Sequence, residues 1–119
     1  MSEVKIKRRI RSVSVSLHTA TSSATTVRLD DMAGGVVSLG TISTSVTRIA
    51  VHGSDTEGGA FRPLYGPDGS VSEIVLTDPA TAPGKIYSLP DAAFALPFVK
   101  LVPNNAAANS VSCSVVLKS

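Results

Sequence analysis

The 119 residues suffice for one domain whose core needs neither a disulfide nor a metal ion. A single cysteine excludes an internal disulfide, and no continuous apolar run has the length that spans a membrane. The first twenty positions carry charges where a secretory signal would need an apolar segment, so the sequence predicts a soluble protein without an export signal.

The formal net charge of +2 is unevenly distributed. Residues 1–20 hold five cations and one acid, Glu3, a net charge of +4, so the remainder must carry −2 to reach the total. The five cations are Lys5, Lys7, Arg8, Arg9 and Arg11. This asymmetry indicates an N-terminal segment that seeks a negative surface, which is either nucleic acid or an acidic protein.

The first predicted strand covers residues 4–17, with the sequence VKIKRRIRSVSVSL. Its apolar residues change phase: Val4, Ile6 and Ile10 are even, whereas Val13, Val15 and Leu17 are odd. One straight strand cannot bury both sets on the same face. Either a bulge near residues 11 and 12 corrects the register, or the two halves face different partners. We favour the second alternative, with an extended basic arm over residues 1–12 and a single sandwich domain over 13–119.

An unpaired strand edge of this length invites association unless a partner covers it. We therefore predict that the arm adds a strand to the open sheet of another molecule while its cations meet carboxylates. The predicted partner-binding residues are Val4, Lys5, Ile6, Lys7, Arg8, Arg9, Ile10 and Arg11.

The rest of the chain alternates in short runs bounded by turn residues, which predicts further strands. These lie near 24–30, 35–40, 45–52, 60–65, 71–77, 84–89, 96–102 and 110–118. The stretch PDAAFAL permits one helical turn with Asp91 as its cap. So many short strands predict an all-β fold, an antiparallel β-sandwich that is jelly-roll-like or immunoglobulin-like.

Groups that could carry catalysis are sparse. The two histidines, His18 and His52, lack the spacing of a zinc site, and GSDTEGG lacks the ordered carboxylates of a calcium loop. Cys113 lies on the same predicted strand face as Val111 and Val115, which indicates a buried apolar position. We therefore predict no catalytic, cofactor-binding or metal-binding residue, and a protein that is not an enzyme.

Two binding classes have partial support. A glycan-binding module would need aromatic rings, and the chain has no Trp, which leaves Tyr65 and Tyr87 as candidates. Nucleic-acid binding would draw on KIKRRIR, but no aromatic residue is interleaved with these cations for stacking on bases. We therefore regard nucleic acid as an improbable partner.

From about residue 24 onward, the chain resembles a group of small β-sandwich virion proteins of tailed bacteriophages. Phe61, Leu64 and Tyr65 match its F-x-x-L-Y motif, and a later motif with its following strand matches Leu89, Pro90, Phe94, Phe98, Lys100 and Leu101.

The resemblance implies a capsid decoration or cement protein on the head surface of a virion, made in the host cytoplasm. It also implies the major capsid protein or another virion protein as partner, no membrane, and a homo-oligomer, with a trimer as the expected state. A tail or fibre adaptor is the alternative.

Overall fold

The computed structural model describes residues 9–109 and 111–119. Within these residues the chain forms nine β-strands and two short 3-10 helices. The strands are β1 (Ile10–Ser16), β2 (Val27–Arg28), β3 (Gly34–Leu39), β4 (Arg48–Ser54), β5 (Arg62–Pro63), β6 (Glu73–Val75), β7 (Lys85–Ser88), β8 (Phe98–Pro103) and β9 (Ser112–Lys118). The helices cover Asp91–Ala95 and Ala106–Ala108. Each observed strand overlaps one of the predicted strand regions.

The strands form two antiparallel sheets. The first sheet has the order β1-β9-β3-β7, and the second has the order β2-β8-β4-β5, with β6 also paired to β4. The pairs are nested along the chain: β1 with β9, β2 with β8, β3 with β7, and β4 with β5 and β6. Nested pairs divided between two sheets define a jelly roll. The predicted antiparallel sandwich is confirmed, and its strand order is the jelly-roll arrangement.

The core lies between the two sheets. Along β9, Cys113, Val115 and Leu117 are buried while the alternating serines and Lys118 face outward, which is the period of two expected for a half-buried strand. The largest fully buried side chains come from both sheets and their connections: Leu17, Leu29, Ile49, Leu101, Leu117, Val15, Val27, Val37, Val46, Val51, Val99 and Val115. Burial of this apolar surface is the main term that stabilises the sandwich.

The connections follow the turn chemistry of the sequence. Gly66 N–H donates to Ser70 O at 2.8 Å, and Gly69 has a positive φ of 85°, so YGPDGS makes the predicted reversal below the Tyr65–Val71 bridge. The predicted helical turn at residues 90–96 is present as a 3-10 turn, but Asp91 is not its cap. Pro90 holds that position and makes no side-chain capping bond. No helix in the described part of the chain is long and apolar enough to cross a membrane.

Candidate partner-binding edge

The candidate interaction site lies on β1, at one end of the first sheet. β1 pairs with β9 without interruption from the Ile10–Lys118 pair to the Ser16–Ser112 pair, so no bulge lies near residues 11 and 12. Residues 10–12 of the predicted arm therefore belong to the sheet. Main-chain hydrogen bonds do not depend on the phase of the apolar side chains, and β9 is long enough to pair with the whole of β1. The strand thus begins before the predicted boundary.

The hydrogen bonds also show which backbone groups of β1 are free to bind another strand. Leu17 N–H donates to Val111 O at 2.8 Å, and Ser119 N–H donates to Arg9 O at 2.9 Å. In an antiparallel ladder such bonded pairs alternate, so the odd-numbered residues of β1 bond to β9. The even-numbered residues point their N–H and C=O groups away from β9, toward a side where the described residues contribute no further strand to the first sheet.

This open edge has a definite end. Ser16 N–H donates to Thr25 Oγ1 at 2.9 Å, and Thr25 N–H donates to Ser16 O at 3.4 Å, so the connection after β1 covers the backbone of Ser16. No described residue bonds to the outward backbone groups of Ile10, Ser12 and Ser14. We call residues 10–14 the β1 edge.

The side chains of the β1 edge alternate between the two faces of the sheet. Ile10, Ser12 and Ser14 point outward and are exposed, and Ile10 is 71% exposed although it is large and apolar. Ser14 lies opposite exposed Ser114 of β9, whereas Ser12 lies opposite the half-buried Val116, so the outer face beside the edge is mixed in polarity. Ile10 adds an exposed apolar side chain at the start of the edge.

Arg11 faces the other way and ties β1 to the second sheet. Its Nη2 donates to the carbonyl oxygen of Arg28, the last residue of β2. Arg28 in turn forms a bidentate pair with Asp30, with Nε to Oδ1 at 2.5 Å and Nη2 to Oδ2 at 2.8 Å. The hydrogen bond from Arg28 holds the pKa of the Asp30 carboxyl below its ordinary value, and the same bond raises the pKa of Arg28.

Of the predicted partner-binding residues, Arg9, Ile10 and Arg11 lie within the described part of the chain. Arg9 N–H donates to Ser119 Oγ at 2.6 Å and the residue is exposed, so a cation on the surface directly precedes β1. Val4 through Arg8 lie outside the described residues. The partner-binding role of the whole set stays a prediction. Ser12 and Ser14 were not among the predicted residues, although their even positions, opposite in phase to Val13 and Val15, indicate an outward face.

The other titratable groups lie in structural settings. His18 Nδ1 accepts a hydrogen bond from Ala20 N–H at 3.0 Å, whereas burial lowers the pKa of His52 on β4. Cys113 is buried, as predicted, and burial raises the pKa of its thiol to about 11. In the described part of the chain, no three His, Cys, Asp or Glu side chains come together in a group that could hold a metal ion.

The loop of sequence GSDTEGG is closed by its own backbone and hydroxyl groups. Ser54 Oγ donates to Thr56 O at 2.7 Å and accepts from Thr56 N–H at 3.1 Å, while Asp55 and Glu57 are exposed. The two tyrosines considered for glycan binding differ in setting. Tyr65 is 58% exposed, whereas Tyr87 is half-buried against the core.

No family model and no curated protein matches the sequence. The fold is similar to the crystal structure of SPBc2 prophage-derived protein YomS, with a TM-score of 0.60 and 18% sequence identity. The alignment covers 99% of this chain and 100% of that chain. At this identity the likeness is one of fold.

Proposed function

We propose that this chain is a non-enzymatic structural protein of a tailed-phage virion, and more narrowly a decoration or cement protein on the outside of the head. The observation that carries the phage role is the full-length similarity of fold to a prophage-derived protein. The non-enzymatic part of the proposal rests on the sequence, whose two histidines lack any metal-ligand spacing.

The decoration role rests on the N-terminal half of β1 and the residues before it. Arg9 and Ile10 are exposed at the start of an open strand, directly after Lys5, Lys7 and Arg8 in the chain. Such a segment suits strand addition, in which the backbone supplies hydrogen bonds and alternating side chains fix the register. The cations would bind carboxylates of the major capsid protein or of neighbouring subunits, which favours rapid and salt-sensitive attachment.

Binding to purified capsids tests this proposal. A variant lacking residues 1–8 keeps the whole of β1 and should fold like the complete chain, but it should no longer sediment with capsids. A matched variant, in which Lys5, Lys7 and Arg8 are replaced by Gln, keeps the length of the segment and should bind more weakly, with a smaller dependence on salt. Undiminished binding by the shortened chain would contradict the proposal.

The position on the particle distinguishes decoration from the tail or fibre alternative. Labelled protein distributed over the whole head supports a decoration protein. Label confined to one vertex or to the tail would replace that role by an adaptor role, with phage structural function retained.

A further inference from the structure

We propose that the β1 edge pairs with the β1 edge of a second copy of this chain, antiparallel and across a two-fold axis at Ser12. The first sheets of the two copies would then join into one continuous sheet. This inference deepens the proposed function by naming a partner for residues 10–14. The part of the inference that reserves the cations before residue 10 for the capsid shell rests on the proposed function. The dimer itself can be tested without capsids.

The open backbone is the first observation behind this inference. The N–H and C=O groups of Ile10, Ser12 and Ser14 point away from β9 in the plane of the sheet, and no proline or bulge interrupts residues 10–14. Natural proteins usually protect such an edge with these devices. Here the outward side chains are two small serines and a 71% exposed isoleucine, which do not obstruct another strand.

The charges and the covered end of β1 select one register. With the axis at Ile10, Arg9 would lie opposite the Arg11 of the second copy, and like charges directly opposite are destabilising. With the axis at Ser14, Ser12 would lie opposite a Ser16 whose N–H is already bonded to Thr25.

With the axis at Ser12, residues 10–14 meet neither a like charge nor the covered Ser16. Ile10 lies opposite Ser14, and Arg11 lies opposite Val13, so the basic half of each strand meets the neutral half of the other. Within the described residues, the outward backbone groups before Ser16 belong to Ile10, Ser12 and Ser14, and this register pairs them with one another across the axis. This self-complementary register, in which no arginine faces an arginine, is the reason for assigning a second copy, and not a different protein, to the edge.

An interface built on one short edge buries little surface, so the dimer should be weak in isolation. On a particle that presents many binding sites, weak contacts between adjacent copies add to the attachment of each copy. The proposed pairing draws on residues 10–14 alone. Lys5, Lys7, Arg8 and Arg9 are not needed for it, so the proposal leaves them for attachment to the shell.

Sedimentation velocity over a concentration series tests the dimer with the complete chain. The wild-type mass should rise from that of one 12.2 kDa chain toward twice that value. Ser12→Pro removes an N–H that faces outward, which an edge strand tolerates, and should abolish this rise. Ser88→Pro is the matched control, on β7 at the opposite edge of the same sheet. Leu89 N–H donates to Gly35 O of β3, so the N–H of the preceding residue, Ser88, points away from β3. This variant should leave the dimer unchanged.

Cross-linking tests the register and does not depend on a proline variant. In the proposed dimer the two Ser12 Cα atoms form a bonded pair about 5.5 Å apart, within the range that a disulfide bridges. The two Ser14 Cα atoms lie four residues apart along the ladder, about 14 Å. Under mild oxidation Ser12→Cys should therefore form a covalent dimer at least about tenfold faster than Ser14→Cys. The native Cys113 is buried and should not interfere.

A wild-type chain that remains monomeric at every concentration would overturn the inference. So would the trimer that the resemblance implies, from which this proposal departs, and so would equal effects of the two proline variants or equal cross-linking at positions 12 and 14. None of these results bears on capsid binding by residues 1–8, and loss of capsid binding in the shortened chain leaves the dimer test intact. The two proposals therefore fail separately.

Discussion

β1 and β9 pair along their entire length, yet the two strands have different surroundings. β9 has a neighbouring strand on both sides and buries Cys113, Val115 and Leu117. Among the described residues, β1 has a neighbouring strand on one side only. Both strands bury an inward apolar face, with Val15 of β1 at 0% exposure, so they differ chiefly in their position in the sheet. A central strand has its backbone groups bonded on both sides, whereas an edge strand leaves alternate backbone groups open.

The largest expected effect is a loss of stability on truncation of Leu117 in β9. This side chain is 0% exposed, so Leu117→Ala removes buried contacts and leaves a cavity, and the free energy of unfolding should fall by about 2–5 kcal/mol. Ile10→Ala in β1 is the matched truncation at an exposed site and should change it by less than about 0.5 kcal/mol. Chemical denaturation of dilute protein measures both. Equal losses would show that the two strands do not differ in this way.

The reactivity of Cys113 probes the buried face of β9 in a second way. Burial raises the pKa of the thiol from 9.0 to about 11, so the reactive thiolate at pH 8 is about a hundredfold scarcer than for an ordinary thiol. A thiol reagent should therefore modify the native protein at least that much more slowly than the protein in denaturant. A cysteine introduced at exposed Ser114 in the same strand is the control and should react rapidly in the native state. Rapid modification of native Cys113 would contradict the assigned burial.

The sequence was sufficient to locate every strand of the described fold, because alternation and turn residues are local signals. Val13, Val15 and Leu17 indicated the inward face of β1, and the valines around Cys113 indicated that of β9. The pairing of these two strands, nearly a hundred residues apart, has no local signal. The choice between jelly-roll and immunoglobulin-like arrangements therefore stayed open until the structure gave the nested order.

The candidate site was predictable in its charge but not in its boundary. Arg9 and Arg11 were visible as part of a basic segment, and the change of phase between Ile10 and Val13 suggested that the strand divides there. The structure shows one continuous strand, because the β9 backbone continues to bond while Ile10 faces solvent. The contact from Arg11 to the carbonyl oxygen of Arg28 depends on the packing of two sheets, which no spacing in the sequence reveals.

Two adjacent glycines in β3, Gly34 and Gly35, differ in how closely atoms of β9 approach them. A Cβ at Gly35 would lie 2.8 Å from Leu117 Cδ2 and 2.8 Å from the Val116 carbonyl oxygen, whereas a Cβ at Gly34 would meet nothing within 4 Å. Gly35→Ala should therefore lower the free energy of unfolding by about 1–3 kcal/mol through overpacking. Gly34→Ala should be nearly neutral, and thermal unfolding of the two variants compares them. A neutral Gly35→Ala would mean that β3 and β9 lie farther apart than described.

The smallest expected effect is the pH-dependent change in stability that comes from the ion pair between Arg28 and Asp30 at the end of β2. The hydrogen bond from Arg28 lowers the pKa of Asp30, so the pair stabilises the fold above the unfolded-state pKa of about 3.9 and loses this contribution as the pH falls through the folded-state pKa. Because the pair is exposed, the change in stability should be small and confined to acidic pH. Arg28→Gln should raise the pKa of Asp30 in an NMR titration of its carboxyl group.

Arg62→Gln, which removes another exposed arginine, should leave the titration of Asp30 unchanged. Arg11 bonds to the backbone of Arg28 and not to its side chain, so Arg28→Gln should also preserve the contact between the sheets. If Arg28→Gln instead weakens the dimer at neutral pH, the side-chain pair helps to hold the β1 edge in place. An unchanged dimer would assign that role to the backbone contact of Arg11 and to the ladder with β9, which is the outcome that the geometry of β1 predicts.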